Sequence, residues 1–274
     1  MIGGSASAGY ATRVSQNLPF FTRADGRTGP LAFAHRGFSP DGLENSAAAF
    51  KAALDLGFTH LETDARSTAD GTVLLFHDET LDRVTDGHGT ISDLAADEIA
   101  KTRIKGMESI PLLADVLAEF PQARLNIDIK DWHTVEPLAG VVERLQAHDR
   151  VLIASFSDRR RRAVLRLLSR RTASSAGILC NALFVLLGPL LPDSWLRKIM
   201  HDVDALQVPA RYGSLPVVTP RFVRRAHRLG LQVHVWTIND PAEMDRLLDL
   251  GVDGLVTDRA DRLKTVLQDR NQWW

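Results

Sequence analysis

Leu31-Ala32-Phe33-Ala34-His35-Arg36-Gly37 is a short apolar run that stops at a histidine, an arginine and a glycine. The pattern returns in His60-Leu61-Glu62-Thr63-Asp64 and in Val73-Leu74-Leu75-Phe76-His77-Asp78, with Glu44-Asn45 lying between. Runs this short and apolar, bounded by turn residues, read as strands buried on both faces. Ser46 to Leu56 carries Ala and Leu at helical spacing. It ends at Gly57, the residue type that tolerates the left-handed backbone of a helix C-terminus. Residues 37–42, which include Pro40, read as a loop, and Asp70-Gly71 as a turn.

The alternation continues toward the C-terminus. Strands are expected at 125–129, 151–154, 205–208, 231–236 and 254–256. Helices are expected at 112–120, 135–147, 159–169, 220–229 and 241–250, with a last one reaching Gln268. Strand-helix alternation of this extent predicts a parallel sheet. About eight such units at this length predict an α/β fold of the (β/α)8 TIM-barrel type. A doubly wound open sheet is the alternative, but no Gly-x-Gly-x-x-Gly loop follows the first strand. Residues 78–110 are polar and glycine-rich and read as a small insertion after the third strand, with a short helix near Leu94 to Lys101. Residues 1–28 read as a flexible arm that carries an apolar clip, Leu18-Pro19-Phe20-Phe21. The barrel domain is then 29–268.

The chain has 274 residues, 45% of them apolar, which suits one large α/β domain. A net charge of −1 provides no global basic field, so nucleic acid is not an expected partner. Cations that meet a phosphorylated small molecule must be local. The single cysteine, Cys180, forbids an internal disulfide and reads as a packing residue. The N-terminal residues lack the basic-then-apolar pattern of a secretory signal, and no apolar run of about 18 residues suggests a membrane span. A cytoplasmic location is the expectation.

A barrel carries its chemistry at the C-terminal ends of its strands. His35, Glu62, Asp64, His77, Asp128, Lys130 and Trp236 all fall at or near predicted ends. Glu62 and Asp64 are two apart, so a strand sends both to one face, where they repel unless a cation lies between them. Asp128 and Lys130 share a face of another strand and add a third carboxylate. Oxygen donors of this kind suit Mg2+ or Ca2+. The plainer role for each acid is an ion pair or a helix cap. His35 and His77 suit acid/base work, since imidazole titrates near neutrality. The remaining histidines read as surface or packing residues, with His234 sharing a strand face with Trp236. Arg36 and Lys130 supply phosphate-side charge. Glu44 reads as a further ligand or a partner of one, Asn45 as a phosphate contact or a support for His35, and Trp236 as a pocket wall.

His35-Arg36-Gly37, Glu44-Asn45, Glu62-x-Asp64 and His77-Asp78, in this order, resemble the glycerophosphodiester phosphodiesterase family. Later echoes are Asp128-x-Lys130, Trp236-Thr237-x-Asn239 and Thr257-Asp258, so the likeness runs from about Leu31 to about Leu267. The resemblance implies a TIM barrel and metal-dependent hydrolysis of glycerophosphodiesters to a glycerol phosphate and an alcohol. It implies Glu62, Asp64 and the acid at 128 as metal ligands, and His35 and His77 as general acid and base. The family pattern typically has glutamate at 128. Related sphingomyelinase D-type phospholipases use aspartate there, which keeps the implied role.

Residues 176–200 are the most apolar part of the chain, broken by Gly188-Pro189 and Pro192. The plain expectation is a barrel strand followed by a packed helix. The sharper one is an exposed lip at 178–198, with Trp195, Arg197 and Lys198, that meets an acyl chain or a membrane surface. On that reading the enzyme is lysophospholipase D-like. A catalytically silent barrel that binds phosphorylated ligands, or a metal-dependent sugar-phosphate isomerase, would not require paired histidines at these positions. Trp273-Trp274 suits a lipid contact or simple packing, and Arg159 to Arg162 read as a solvated helix face.

Overall fold

The computed structural model describes residues 18–22 and 29–273. The elements in chain order are β1 (Leu31–His35), α1 (Ala47–Asp55), β2 (His60–Ser67), β3 (Val73–Leu75), α2 (Ala96–Ile99), α3 (Leu113–Glu119), β4 (Arg124–Ile129), α4 (Val135–Arg144), β5 (Val151–Ala154), α5 (Asp158–Leu167), β6 (Ala173–Ser174), α6 (Ile178–Leu186), α7 (Asp193–Ile199), β7 (Ala205–Pro209), β8 (Arg211–Tyr212), β9 (Leu215–Pro216), α8 (Pro220–Arg228), β10 (Gln232–Trp236), α9 (Pro241–Asp249), β11 (Gly254–Thr257) and α10 (Ala260–Asp269). Parallel pairing runs β6-β5-β4-β2-β1-β11-β10-β7. A bridge between Ser175 and Ala205 then joins β6 to β7 and closes the barrel.

Two details depart from the sequence reading. Val73 to Phe76 is not a stave of the barrel. β2 is eight residues long and overshoots the rim, and after the Asp70-Gly71 turn β3 folds back antiparallel on the overshoot, Ala65 opposite Leu75. Strands joined by so short a loop must run antiparallel. The stave expected within 176–200 lies upstream of it instead. It is β6, two residues long, drawn from the polar run Thr172-Ala173-Ser174-Ser175, and α6 has begun by Ile178. The structure thus removes one expected stave and moves another upstream.

The apolar clip closes the N-terminal end of the barrel. Pro19–Phe21 forms one 3-10 turn. Phe20 meets the edge of the His60 ring at 5.2 Å between centroids, and Phe21 lies 5.9 Å from the His234 ring. The rest of the expected arm, residues 1–17 and 23–28, lies outside the described residues. His234 is fully buried here, in contact with Gln207 and Gln232, and burial pushes its pKa down to about 4. It packs the barrel floor as a neutral ring, away from the strand ends that carry His35. The segment 78–110 has its own small core, including Leu81, Val84, Ile91, Ile99 and Ile104, packed on Leu74 and Phe76 of the hairpin. Trp273 covers Phe58 at 5.1 Å, whereas Trp274 lies outside the described residues. Among the described residues no helix is long and apolar enough to cross a membrane.

Candidate active site

β1 delivers His35 to the rim and the chain then turns sharply. Arg36 and Gly37 take positive φ angles of 55° and 82°. A Cβ on Gly37 would stand 2.6 Å from the backbone carbon of Ala49, so only glycine lets the turn pack on α1. The turn aims Arg36 inward. Its Nη1 donates to Glu44 at 2.8 Å, and its Nε lies 3.1 Å from Asp64 Oδ2. Asn45, also at positive φ, is buried and donates to the same Asp64 oxygen at 3.0 Å while accepting from Thr63. Asn45 therefore holds Asp64 in place, and among the described residues no hydrogen bond joins its side chain to His35. Backbone held in this sparsely populated region by its surroundings is characteristic of functional sites.

Glu62 and Asp64 point to one face of β2, as their spacing predicts. The register sets Asp64 directly opposite Asp128 on β4. Lys130 Nζ lies 2.7 Å from both Asp64 Oδ1 and Asp128 Oδ2. These charges sit in a poorly hydrated pocket, and the pKa directions follow. Burial opposes ionisation of Asp64, but Lys130 and Arg36 outweigh it and hold the carboxyl below its ordinary range. Burial and the adjacent Asp64 charge push Glu62 up. Burial also raises Asp128, against the pull of Lys130. The Lys130 ammonium, flanked by two carboxylates, keeps its proton more tightly than a free lysine despite its burial.

Each histidine is held by its own aspartate. His35 Nδ1 lies 2.6 Å from Asp258 Oδ1, and its Nε2 faces Glu62 Oε2 at 3.7 Å. Burial alone would lower the His35 pKa; Glu62 and the Asp258 bond reverse this and raise it. Asn239 buttresses the pair, donating to Asp258 Oδ2 at 2.7 Å and accepting from the Asp258 backbone N–H. His77 Nδ1 lies 2.6 Å from Asp78 Oδ1. Arg83 grips Asp78 and also Glu44, the latter at 2.6 Å, and holds the Asp78 pKa down at about 2. His77 reaches the rim from the antiparallel hairpin, not from a stave. Beside it a cleft of about 440 Å3 is lined by Arg66, Glu79, Ile91, Asp93, Asp131 and His133.

Trp236 ends β10 and lies 6.1 Å from the Phe156 ring, over which Lys130 Nζ sits at 5.8 Å. The arginine run is not a solvated face. Arg160 turns back to Ser155 near the site, and Arg161 is fully buried against Ser174 and Asp202. Asp258, Asn239 and Asp78 are motif residues to which sequence reasoning gave no role. Arg83, Arg160 and Phe156 carried no signal of a site role.

The donor chemistry suits a hard divalent cation: three carboxylates, all buried, and a buried Asp128 Oδ1 with no hydrogen-bond partner. As the side chains stand, no three acidic, histidine or cysteine groups among the described residues converge on one ion position. The Lys130 ammonium lies between Asp64 and Asp128.

The sequence model of the glycerophosphoryl diester phosphodiesterase family matches residues 35–262. A Mycobacterium tuberculosis protein named "Probable glycerophosphodiester phosphodiesterase 2" is 44% identical over 254 residues, covering 92% of this chain and 95% of its own. A human protein named a lysophospholipase D is 26% identical over 274 residues, with 86% and 85% covered. The solved structure of an Oleispira antarctica phosphodiesterase in complex with the product sn-glycerol-3-phosphate superposes with a TM-score of 0.71 at 23% identity. It covers 88% of this chain and 97% of its own.

Proposed function

Because the chain belongs to the glycerophosphoryl diester phosphodiesterase family, we propose that it hydrolyses glycerophosphodiesters to a glycerol phosphate and an alcohol by metal-dependent, two-histidine chemistry. The observation that carries this reading is the pair of aspartate–histidine dyads at the rim, His35 with Asp258 and His77 with Asp78. An aspartate on Nδ1 fixes the tautomer and leaves Nε2 for the reacting atoms, the same logic as in other carboxylate–histidine catalysts. One imidazole takes the proton from the attacking hydroxyl and the other protonates the departing alkoxide. Attack by water gives the glycerol phosphate directly, whereas attack by the neighbouring glycerol hydroxyl gives a cyclic phosphate that water then opens to the glycerol phosphate.

Glu62, Asp64 and Asp128 would hold Mg2+ or Ca2+. Bound there, the ion supplies charge that polarises a phosphoryl oxygen. Arg36 and Lys130 offer the diester fixed cationic groups in a site of low dielectric. Asn45 and Glu44 keep Asp64 and Arg36 in place, and Trp236 with Phe156 walls the organic half of the substrate. A cytoplasmic setting suits the one buried cysteine.

A second reading, hydrolysis of a lysophospholipid, is favoured by the exposed Phe156 at the rim and the exposed apolar helix beside it. Peripheral lipid contact then runs through residues 178–198. The relative named as a lysophospholipase D accords with it.

The test is 31P NMR of glycerophosphocholine with the native protein, His35→Ala and His77→Ala. Native protein yields glycerol phosphate, and each variant loses about 10²- to 10⁴-fold in kcat. Native-like turnover by either variant contradicts the two-histidine assignment.

A further inference from the structure

We propose that the flank of the barrel formed by α5, α6, α7 and α8 docks on an anionic lipid surface. The inference rests on the lipid-contact reading of residues 178–198 and deepens it by naming the surface and its charge.

α6 reads Ile178-Leu179-Cys180-Asn181-Ala182-Leu183-Phe184-Val185-Leu186 and has no charged side chain on any face. Cys180 and Phe184 point into the core. Ile178, Leu179 and Leu186 are 60%, 63% and 71% exposed, and the ridge continues through Leu190 and Trp195 at 80% and 62%. The one polar side chain of α6, Asn181, donates to the Ala176 and Gln207 carbonyls, and a helix with so apolar an outer face is ordinarily covered, by protein or by lipid.

The flanking helices decide which. From Phe156 to Gly230 the chain holds fourteen Arg and Lys against four Asp and no Glu; the rest of the molecule holds nineteen against thirty acids. A near-neutral protein is therefore strongly polarised. Some of these cations are engaged, such as Arg161 and Arg162 with Asp202 and Arg228 with Asp193. Arg166, Lys198, Arg221 and Arg224 are exposed and meet no carboxylate among the described residues. A second copy of the chain is a poor occupant, because a twofold interface lays the same patch on itself and sets arginines against arginines. An exposed apolar ridge with exposed cations on the neighbouring helices matches a bilayer with anionic headgroups on both counts, acyl interior and surface potential. Between α5 and the end of α7, a cleft of about 270 Å3 lined by Arg162, Leu165, Arg166, His201 and Asp202 offers room for a headgroup phosphate.

The patch is continuous with the site. The Ile178 N–H donates to the Phe156 carbonyl at 2.9 Å, and Phe156 stands against Trp236 and Lys130. Docking by this flank brings the rim of the barrel to the bilayer surface.

The experiment is co-sedimentation of the full chain with vesicles of phosphatidylcholine alone and of phosphatidylcholine with about one third phosphatidylglycerol. The variants are Leu186→Glu/Leu190→Glu and Arg221→Glu/Arg224→Glu. The native protein should bind the anionic vesicles about tenfold or more tightly than the neutral ones, and each double variant should lose about tenfold. Turnover of glycerophosphocholine should stay unchanged in both variants. No vesicle binding by the native protein, equal binding by native and variants, or a native dimer that the leucine variant dissociates would each overturn the proposal. If docking fails while glycerophosphocholine is still cleaved, the catalytic reading stands. If vesicles bind but no diester is cleaved, docking stands and the catalytic reading falls.

Discussion

His35 and Asp258 are separated by 223 positions and held 2.6 Å apart, and this contact sets which ring nitrogen of His35 carries the proton. Asp258→Asn should lower kcat roughly 10- to 100-fold with little change in KM, measured on glycerophosphocholine. An unchanged kcat would remove Asp258 from the dyad. A second residue-scale effect lies on the barrel floor. His234 has its pKa depressed from 6.5 to about 4, so between those values the unfolded chain binds a proton that the folded chain refuses. Its contribution to stability is complete above the unfolded pKa and is lost as pH falls. At about pH 5 the loss is about 2 kcal/mol. Urea midpoints at pH 7 and about pH 5 should therefore drop in the native protein and less in His234→Leu; parallel drops would contradict the assignment. At this scale the sequence was most legible where short motifs carry charge. The i, i+2 spacing placed Glu62 and Asp64 on one face, and Asp128 came out opposite Asp64. Asp258 and Arg83 were illegible in role because their partners are tertiary. Arg160 was hidden in a run of arginines whose sequence does not say which one turns inward.

The β1–α1 turn and the Phe20–Phe21 clip are elements with opposite duties. Gly37→Ala places a methyl group against the Ala49 backbone at a positive φ, and the turn must shift. It should lower stability by about 1 kcal/mol or more and carry Arg36 away from Asp64 and Glu44, so kcat falls as well. Phe20→Ala empties the barrel floor and should cost about 3–5 kcal/mol in denaturant titration, with kcat per folded molecule unchanged. A large fall in kcat at full folding would place the clip in the catalytic machinery. Helices were legible from periodicity and end glycines: α1 ends just before Gly57, as its spacing predicts, and the structure adds that Ser46 caps it, accepting from the Ala49 N–H at 3.0 Å. β6 was not, because an isolated Ala-Ser pair carries no strand signal. β3 was legible as a strand, but its direction was not, since direction depends on where β2 leaves the barrel.

For the whole molecule, the alternation of strands and helices is a period that the sequence displays directly, so the (β/α)8 architecture was readable while its stave list needed the pairing register. Charge at this scale is uneven, with a basic flank and an acidic remainder, and a net charge near zero conceals that division. A ligand that binds only the folded chain stabilises it. Mg2+ or Ca2+ added to EDTA-treated protein at about a hundredfold excess over Kd should therefore raise stability by about 2.7 kcal/mol, and Glu62→Gln/Asp64→Asn should abolish the rise. A rise that persists in that variant would place the ion elsewhere. The central claim is that the three buried carboxylates and the two dyads form one metal-dependent site. Its most direct test is release of glycerol phosphate from glycerophosphocholine before EDTA, after EDTA, and after Mg2+ or Ca2+ is restored, in the native protein and in Asp128→Asn. The account predicts activity that EDTA removes and the ion restores in the native protein, with Asp128→Asn poorly restored. Full turnover in EDTA would contradict it.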